Sequence, residues 1–221
     1  MRENRIDWNN IETVLLDMDG TLLDLNFDNH FWQEHVPLRY AELHNLTLED
    51  SKRVLYPKFR NVEGSLDWYS VDYWSSELGM DIAKLKKEID HLIAVHPHVI
   101  DFLEAVKASG RRMLMVTNAH IKSLEIKMEL TKLAGHFDHI VVSHDLGCAK
   151  ESLTFWEMLK GLEPYNNDRT LLVDDSLPVL RTAKQYGIAH LLAVRKPDTQ
   201  REEKDVEEFN AIYHFEEIMP F

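Results

Sequence analysis

Two aspartates that follow a short apolar segment are the residues of this sequence best suited to carry out chemistry. Residues 14–16 are Val-Leu-Leu, and Asp17, Asp19, Gly20 and Thr21 come directly after them. The apolar segment has the length of a buried strand, and residues two apart in a strand face the same side, so the two carboxylates should converge beyond its end. Because unpaired buried charge is costly, a bound cation is the simplest partner for them. Gly20 permits a sharp turn, and Thr21 offers a hydroxyl and an N–H to an anion. The segment therefore predicts a nucleophile, an acid or base and a metal site within three residues.

Composition narrows the choice of partners. The 221 residues include 25 basic and 38 acidic side chains, and the formal net charge of −13 argues against nucleic acid or an anionic membrane as a partner. A small phosphorylated metabolite remains compatible, since a metal and a few cations can hold a phosphate locally. Cys148 is the single cysteine, so no intramolecular disulfide can form and a reducing compartment is expected. We find no signal-peptide pattern, no apolar stretch of membrane-spanning length and no indication of an obligate protein partner, and therefore expect a cytoplasmic protein.

The chain from residue 96 onward alternates between helical and strand patterns. Strands are predicted at residues 113–116, 139–143, 170–173 and 190–194, with helices between them and a short terminal strand within residues 211–215. This alternation is typical of an α/β fold, in which a doubly wound parallel sheet carries helices on both faces and so forms three layers.

Residues 26–94 contain no strand pattern and are predicted to form a four-helix insertion. We expect Asp28 to cap its first helix and Pro37 to kink or break that helix. Thr47 resembles the start of a capping box, residues 66–78 are expected to form one aromatic-rich helix, and Gly79 should end it.

Polar residues follow the predicted strands at one edge of the sheet. Ligands of doubly wound sheets bind outside the carboxyl ends of the strands. Besides Asp17, this edge receives Thr117 and Asn118 from the second strand, Lys150 from the loop after the third, and the pair 174–175, Asp-Asp, from the fourth. Residues far apart in the chain are therefore expected to meet at one site.

The first two of these groups carry a resemblance to a known family. The segment Asp17-Met-Asp-Gly-Thr resembles the first motif, DxDGT, of the haloacid dehalogenase-like (HAD) hydrolase superfamily at every fixed position. Thr117 is similar to the Thr or Ser of the second motif. The resemblance spans residues 11–25 and 95–195, and it implies a Rossmann-like core of residues 1–25 and 95–221 with residues 26–94 as an inserted helical cap.

The remaining two motifs are present with small departures. Lys150 is similar to the cation of the third motif, although Glu151 follows it where many members have proline, and Lys160 later in the predicted helix is the alternative. Asp174 and Asp175 resemble the fourth motif, whose common form is Gly-Asp.

The resemblance implies a phosphatase mechanism. Asp17 would attack phosphorus and form an aspartyl-phosphate, and Asp19 would act as general acid and base. Mg²⁺ would be bound by Asp17, the carbonyl oxygen of Asp19 and Asp175. Asp174 would contact the ion indirectly, for example through a water molecule, or would replace Asp175 as the ligand. The residues implied to hold the phosphoryl group and the substrate are Thr21, Thr117, Asn118 and Lys150.

Three other activities remain open for such a core. A dehalogenase uses the same nucleophile but lacks the second aspartate of the first motif, so Asp19 favours phosphoryl transfer, as does the acid pair Asp174 and Asp175. A phosphomutase has a similar core. A non-catalytic binding protein would have no need for the full set of catalytic residue types.

Residues 17–32 look similar to the corresponding segment of bacterial purine 5′-nucleotidases acting on GMP and IMP. A purine needs an aromatic surface and polar groups for its edge, and the predicted cap is rich in aromatic side chains. Trp32 and Tyr73 fit the buried stripe of the cap best, and the other aromatic residues could equally pack its interior. Phosphosugar or phosphoglycolate hydrolysis is therefore the alternative. The candidate leaving-group contacts are Asn26, Asp28, Arg39, Trp68, Tyr69 and Trp74.

Overall fold

The strand that precedes the two aspartates lies in the middle of a parallel sheet. The computed structural model describes residues 6–220. Within them, six strands pair in the order β3-β2-β1-β4-β5-β6, and every pairing is parallel. The strands are β1 (Thr13–Leu16), β2 (Arg112–Thr117), β3 (His139–Val142), β4 (Thr170–Asp174), β5 (His190–Val194) and β6 (Ala211–Ile212). The predicted α/β fold with a doubly wound parallel sheet is confirmed.

Ten α-helices accompany the sheet in the described part of the chain. They are α1 (Asn26–His30), α2 (Val36–His44), α3 (Leu48–Val62), α4 (Leu66–Tyr69), α5 (Val71–Leu78), α6 (Ile82–Glu88), α7 (Val99–Ala108), α8 (Ile121–Thr131), α9 (Leu153–Leu162) and α10 (Leu177–Tyr186). Short 3₁₀ turns lie at Trp8–Asn10, Asp90–Leu92, Leu133–His136, Ser143–Leu146, Asn167–Arg169 and Phe215–Ile218. No helix in residues 6–220 is long and apolar enough to cross a membrane.

Strand β1 contributes to two hydrophobic cores, one on each face of the sheet. Val14 and Leu16 pack with residues of α7 and α8, whereas Leu15 packs with residues of α9 and α10. All three side chains are fully buried. Alternate residues of a strand point to opposite faces, so a continuous apolar segment is what a strand covered on both sides requires. This burial fixes the end of β1, and with it the position of Asp17.

The helices α1–α6 have a hydrophobic core of their own, which includes Phe31, Leu55 and Trp74. The chain leaves the sheet region for these helices and returns at a single place. There, Asp24 N donates to Ala94 O at 2.9 Å, and His96 N donates to Leu22 O at 2.9 Å. We refer to residues 26–92 as the helical segment.

The helical segment contains six α-helices, α1–α6, where four were expected, and its local details also differ from the expectations. Asp28 does not cap α1, because the helix begins at Asn26, and the Asp28 carboxylate instead pairs with two lysines. The region 66–78 is divided between α4 and α5, because the Ser70 side chain accepts a hydrogen bond from Tyr73 N and starts a new helix.

The expectations for Thr47 and Gly79 are confirmed, whereas the expected break at Pro37 is absent. Pro37 does not break the first helix, because helical backbone continues from α1 through a π-helical turn at Phe31–His35 into α2, and Pro37 follows shortly after that turn. The Thr47 side chain accepts from Asp50 N as a cap of α3, and Gly79 ends α5 in the left-handed conformation.

Candidate active site

A cavity of about 610 Å³ lies between the carboxyl edge of the sheet and the helical segment. Its volume is in the range of small-molecule sites. The residues from the sheet side that line it include Asp17, Asp19, Thr117, Asn118, Lys150, Asp174 and Asp175. The structure therefore brings together seven of the eight site residues expected from the sequence, although they come from four separate regions of the chain.

Asp17 lies at the end of β1, and Lys150 holds its side chain. Asp17 N donates to Val173 O at 3.0 Å, which continues the pairing of β1 with β4. Lys150 Nζ lies 2.5 Å from Asp17 Oδ1, 2.7 Å from Asp174 Oδ2 and 3.0 Å from Val116 O. These three acceptors use all three N–H donors of the ammonium group. Since Lys150 is only 2% exposed, its charge is compensated by neighbouring carboxylates, chiefly those of Asp17 and Asp174, and not by water.

Burial and neighbouring charges oppose each other at this pair. Burial raises the pKa of Asp17 to about 6, Lys150 counteracts this, and Asp174 adds to it. Burial by itself would lower the pKa of Lys150, but Asp17 and Asp174 outweigh burial and raise it. Lys150 therefore stays charged, and its charge favours the ionised, nucleophilic form of Asp17 in this buried position.

Three carboxylates meet at this edge of the sheet. Oxygen atoms of Asp17, Asp174 and Asp175 all lie within 4.8 Å of one another. Both oxygens of Asp174 are occupied, one by Lys150 Nζ and the other by Ser176 N at 2.8 Å. The Asp175 carboxylate has no hydrogen-bond or ion-pair partner within residues 6–220, and burial next to the other two aspartates raises its pKa. Carboxylate oxygens are the ligands that Mg²⁺ prefers, so Asp17 and Asp175 are the carboxylates best placed to hold such an ion.

Gly20 gives the Asp175 carboxylate the space that it occupies. Gly20 has a φ of +83°, and a Cβ at this position would lie 2.7 Å from Asp175 Cγ. Both the backbone conformation and the close approach favour glycine here. The turn after Asp19 is thus shaped around the acidic side chain that follows β4.

The residues after β2 hold the loop that carries Lys150. Asn118 Oδ1 accepts from Lys150 N at 2.9 Å, while Asn118 Nδ2 donates to Glu151 Oε2 at 2.9 Å. Thr117 Oγ1 accepts from Ala119 N at 3.0 Å, so its O–H remains available to a ligand. Thr21 behaves differently from the expectation: it does not line the cavity, and its buried hydroxyl has no hydrogen-bond partner in the described residues.

Asp19 has a partner that the sequence analysis missed. Lys127 Nζ of α8 lies 2.6 Å from Asp19 Oδ1 and 2.6 Å from Asp28 Oδ2. Burial raises the pKa of Asp19 to about 6, with Lys127 acting against this and Asp28 reinforcing it. One signal was present in the sequence, because Lys127 lies three residues after Leu124 on the buried face of its helix.

The helical segment contributes a different set of cavity residues from the expected one. Of the candidates, Asp28, Trp68 and Tyr69 line the cavity. Trp74 is fully buried and donates to Trp68 O at 2.9 Å, and Arg39 pairs at the surface with two glutamates. Asn26 also lies outside the cavity lining. The residues of this segment that line the cavity without having been anticipated as contacts are Asn29, Trp32, Gln33, Tyr56, Phe59, Arg60, Glu63, Val71 and Lys86.

Comparison with known proteins identifies relatives across nearly the whole chain. A family model described as haloacid dehalogenase-like hydrolase matches residues 11–187. The chain is 37% identical over 215 residues to the GMP/IMP nucleotidase YrfG of Escherichia coli (strain K12), a match that covers 97% of each protein. The YrfG protein of Shigella flexneri matches to the same extent.

Solved structures show the same fold at lower identity. The HAD phosphatase from Thermococcus onnurineus superimposes with a TM-score of 0.76 at 20% identity and covers 94% of this chain and 95% of that one. CbbY from Rhodobacter sphaeroides, solved in complex with phosphate, superimposes with a TM-score of 0.65 at 16% identity, with 93% and 95% covered.

Proposed function

We propose that this chain, which belongs to the haloacid dehalogenase-like hydrolase family, is a phosphomonoester hydrolase that works through an aspartyl-phosphate. The observation that carries the proposal is that Asp17, Asp19 and Lys150 line one cavity. Asp17 supplies the nucleophile, and Asp19 supplies the acid or base. Lys150 supplies a positive charge next to Asp17, where it can also interact with an incoming phosphate.

The reaction follows from the chemistry of these groups. An oxygen of Asp17 attacks phosphorus, the bond from phosphorus to the ester oxygen breaks, and Asp19 gives a proton to the leaving alcohol. In the second step Asp19 takes a proton from water, the water oxygen attacks phosphorus, and Asp17 is released together with inorganic phosphate. Lys150 reduces the repulsion between the Asp17 carboxylate and the phosphoryl oxygens in both steps.

The donor set supports Mg²⁺ as the cofactor. The carboxylates of Asp17 and Asp175, whose oxygens lie within 4.8 Å of each other, would hold it. The family resemblance implies the carbonyl oxygen of Asp19 as a further ligand. When bound, Mg²⁺ supplies positive charge to the phosphoryl oxygens as bond breaking proceeds. Asp174 would contribute indirectly, because its two oxygens orient Lys150 and the backbone of Ser176.

We further propose that residues 26–94 act as a cap over the site and that the substrate is a purine 5′-nucleotide. The relative with 37% identity is named a GMP/IMP nucleotidase. In addition, Trp32 and Trp68 of the cavity wall lie with their rings 6.5 Å apart and inclined by 25°. Such rings offer a flat surface to a nucleobase. A phosphosugar or phosphoglycolate would use little of this aromatic wall.

Phosphate release from a panel of substrates at equal concentration tests the proposal. We expect GMP and IMP to react faster than CMP, UMP and ribose 5-phosphate, with activity lost in excess chelator and restored by Mg²⁺. Asp17→Asn provides the matched control and should abolish turnover while leaving the fold intact. Equal rates for IMP and ribose 5-phosphate would contradict a nucleotidase, and turnover by Asp17→Asn would contradict the covalent mechanism.

A further inference from the structure

Two buried lysines and two partly buried aspartates form a continuous chain of charges from the active site into the helical segment. Asp19 Oδ1 accepts from Lys127 Nζ at 2.6 Å, and the same ammonium group donates to Asp28 Oδ2 at 2.6 Å. The second oxygen of Asp28 accepts from Lys86 Nζ at 3.0 Å. Asp19 and Lys127 belong to the core, whereas Asp28 and Lys86 belong to α1 and α6 of the helical segment.

Both lysines of this chain are almost completely buried. Lys127 is 1% exposed and Lys86 is 3% exposed. Lys86 Nζ also lies over the rings of Phe27 and Phe31, at 5.0 and 4.4 Å from their centroids. Burying two ammonium groups costs a large desolvation energy, and a buried ion pair is often no more stabilising than apolar residues of similar volume. A role in specifying geometry therefore accounts for this group better than a role in stability alone.

The geometry of Asp19 indicates what that role is. Lys127 occupies Oδ1, while Oδ2 has no hydrogen-bond partner within residues 6–220. Asp19 lies in the turn after β1, and no backbone N–H of the described chain donates to its carboxylate. Proton transfer requires the donor oxygen to be held within hydrogen-bond reach of the leaving oxygen, and small displacements cost much of the rate.

We propose that Lys127 is a positioning residue for the acid–base group, and that Asp28 and Lys86 hold Lys127 in place only while the helical segment packs against the core. Lys127 binds one oxygen of Asp19 and thereby leaves the other for the proton that goes to the leaving alcohol. Packing of the helical segment and readiness of the acid are thus linked through Asp28. This inference rests on the phosphatase function proposed above.

The dependence on the leaving group separates positioning from a merely structural role. An alkyl ester such as IMP needs a proton on its leaving oxygen, whereas p-nitrophenyl phosphate releases a stable phenolate without one. The quantity to compare is kcat/KM, because it reports the steps up to departure of the leaving group and excludes hydrolysis of the aspartyl-phosphate. The full-length protein with Mg²⁺ is used throughout.

We expect Lys127→Met to lower kcat/KM about 100-fold for IMP and less than about threefold for p-nitrophenyl phosphate, which is the range for loss of one general acid. Asp28→Asn and Lys86→Met should also lower kcat/KM more for IMP than for p-nitrophenyl phosphate, by a smaller factor than Lys127→Met does. Lys122→Met is the matched control, because Lys122 lies on the same helix α8 and pairs with Asp72 of the helical segment at 2.5 Å, but at the surface. It should leave both values within about twofold.

A second variant guards against misfolding of Lys127→Met. The double variant Lys127→Gln with Asp28→Asn removes one charge of each sign, so Asp19 and Asp28 do not face each other as two bare carboxylates, and it should show the same difference between the two esters. Equal losses on both substrates, or no loss on either, would overturn the inference while leaving the phosphatase proposal standing. A wild-type protein that hydrolyses neither ester would overturn both.

Discussion

The hydroxyl group of Tyr69 lies 2.6 Å from Oε1 of Glu151, and this hydrogen bond joins the helical segment to the loop that carries Lys150. Glu151 Oε2 accepts in turn from Asn118, whose side-chain oxygen accepts from Lys150 N. Burial and the adjacent Glu151 carboxylate raise the pKa of Tyr69, so its hydroxyl stays protonated and remains a donor. A proline at position 151 would have no side-chain acceptor with which to make this connection.

Tyr69→Phe should therefore loosen the contact between the helical segment and the core. We expect a loss of about 1 kcal/mol in the free energy of unfolding, the usual contribution of one hydrogen bond, and a rise of a few fold in KM for IMP. Chemical denaturation and steady-state kinetics measure the two effects. Tyr73→Phe is the control, since no hydrogen bond of the Tyr73 hydroxyl is found within residues 6–220. Identical behaviour of the two variants would show that the bond to Glu151 has no such role.

Gly20→Ala should weaken metal binding. The new methyl group would lie 2.7 Å from Asp175 Cγ and would displace that carboxylate. Gly64→Ala is a matched control, because Gly64 has a similar φ of +77° but no atom within 4 Å of the place that a methyl group would take. We expect the Mg²⁺ concentration for half-maximal activity to rise about tenfold or more in Gly20→Ala and to stay unchanged in Gly64→Ala. A similar Mg²⁺ requirement in both variants would exclude Asp175 as a metal ligand.

Asp28→Asn should destabilise the protein strongly, because it leaves two buried lysines with too little negative charge. Breaking a buried ion pair costs about 3–5 kcal/mol, whereas breaking an exposed one costs about 0–1 kcal/mol. Asp72→Asn is the exposed counterpart, since Asp72 pairs with Lys122 at the surface. Urea denaturation at neutral pH measures the free energy of unfolding of both variants. Similar losses would show that the charges around Asp28 contribute no more to stability than the exposed pair does.

The effect of Asp28→Asn should also depend on pH. Burial would raise the pKa of Asp28, but Lys127 and Lys86 outweigh burial and lower it to about 2. A carboxyl group with a lowered pKa in the folded state stabilises the protein above its unfolded pKa and loses that contribution as the pH falls through its folded pKa. The difference in stability between wild type and Asp28→Asn should thus shrink as the pH falls from about 4 to about 2.

Lys150→Ala should lower turnover far more than Lys160→Ala. Without Lys150, Asp17 and Asp174 face each other with no buried cation between them, and the phosphate meets an uncompensated carboxylate. We expect a loss of about 100-fold or more in kcat. Lys160 donates to Asn167 at 2.8 Å, lies over the ring of Tyr165 and is outside the cavity lining, so its removal should change kcat by no more than about twofold. The opposite order of damage would mean that Lys160 is the third-motif cation.

The sheet and the convergence of acidic residues at its edge were predictable because they depend on short-range patterns. A buried apolar strand followed at once by Asp17 fixes both the strand and the direction of the carboxylate. The partner of Asp19 was not predictable in this way. Lys127 is 108 positions away in the chain, and a lysine in a helix usually faces solvent, so its burial depends on how α8 packs against α1 and α6.

Local competition explains the break within residues 66–78. The apolar spacing there fits one helix, but Ser70 bonds to Tyr73 N and so offers the backbone a new start. Thr21 shows the opposite limit, since its position in the first motif suggested a ligand contact, whereas the turn around Gly20 directs it into the interior. In both cases the outcome depends on the local direction of the backbone, and the spacing of residues in the sequence does not reveal that direction.

The helical segment begins and ends at adjacent points of the core, where Asp24 bonds to Ala94 and His96 bonds to Leu22. This has a consequence for how the fold can change. Because two backbone hydrogen bonds hold the ends of the helical segment side by side, an insert of another length or shape would close onto the sheet at nearly the same entropic cost. We therefore expect the chain to accept a different insert at this place. Asp17 should keep its position at the end of β1 in such a chimera, whereas the contacts that Asp28 and Tyr69 make with the core would be lost.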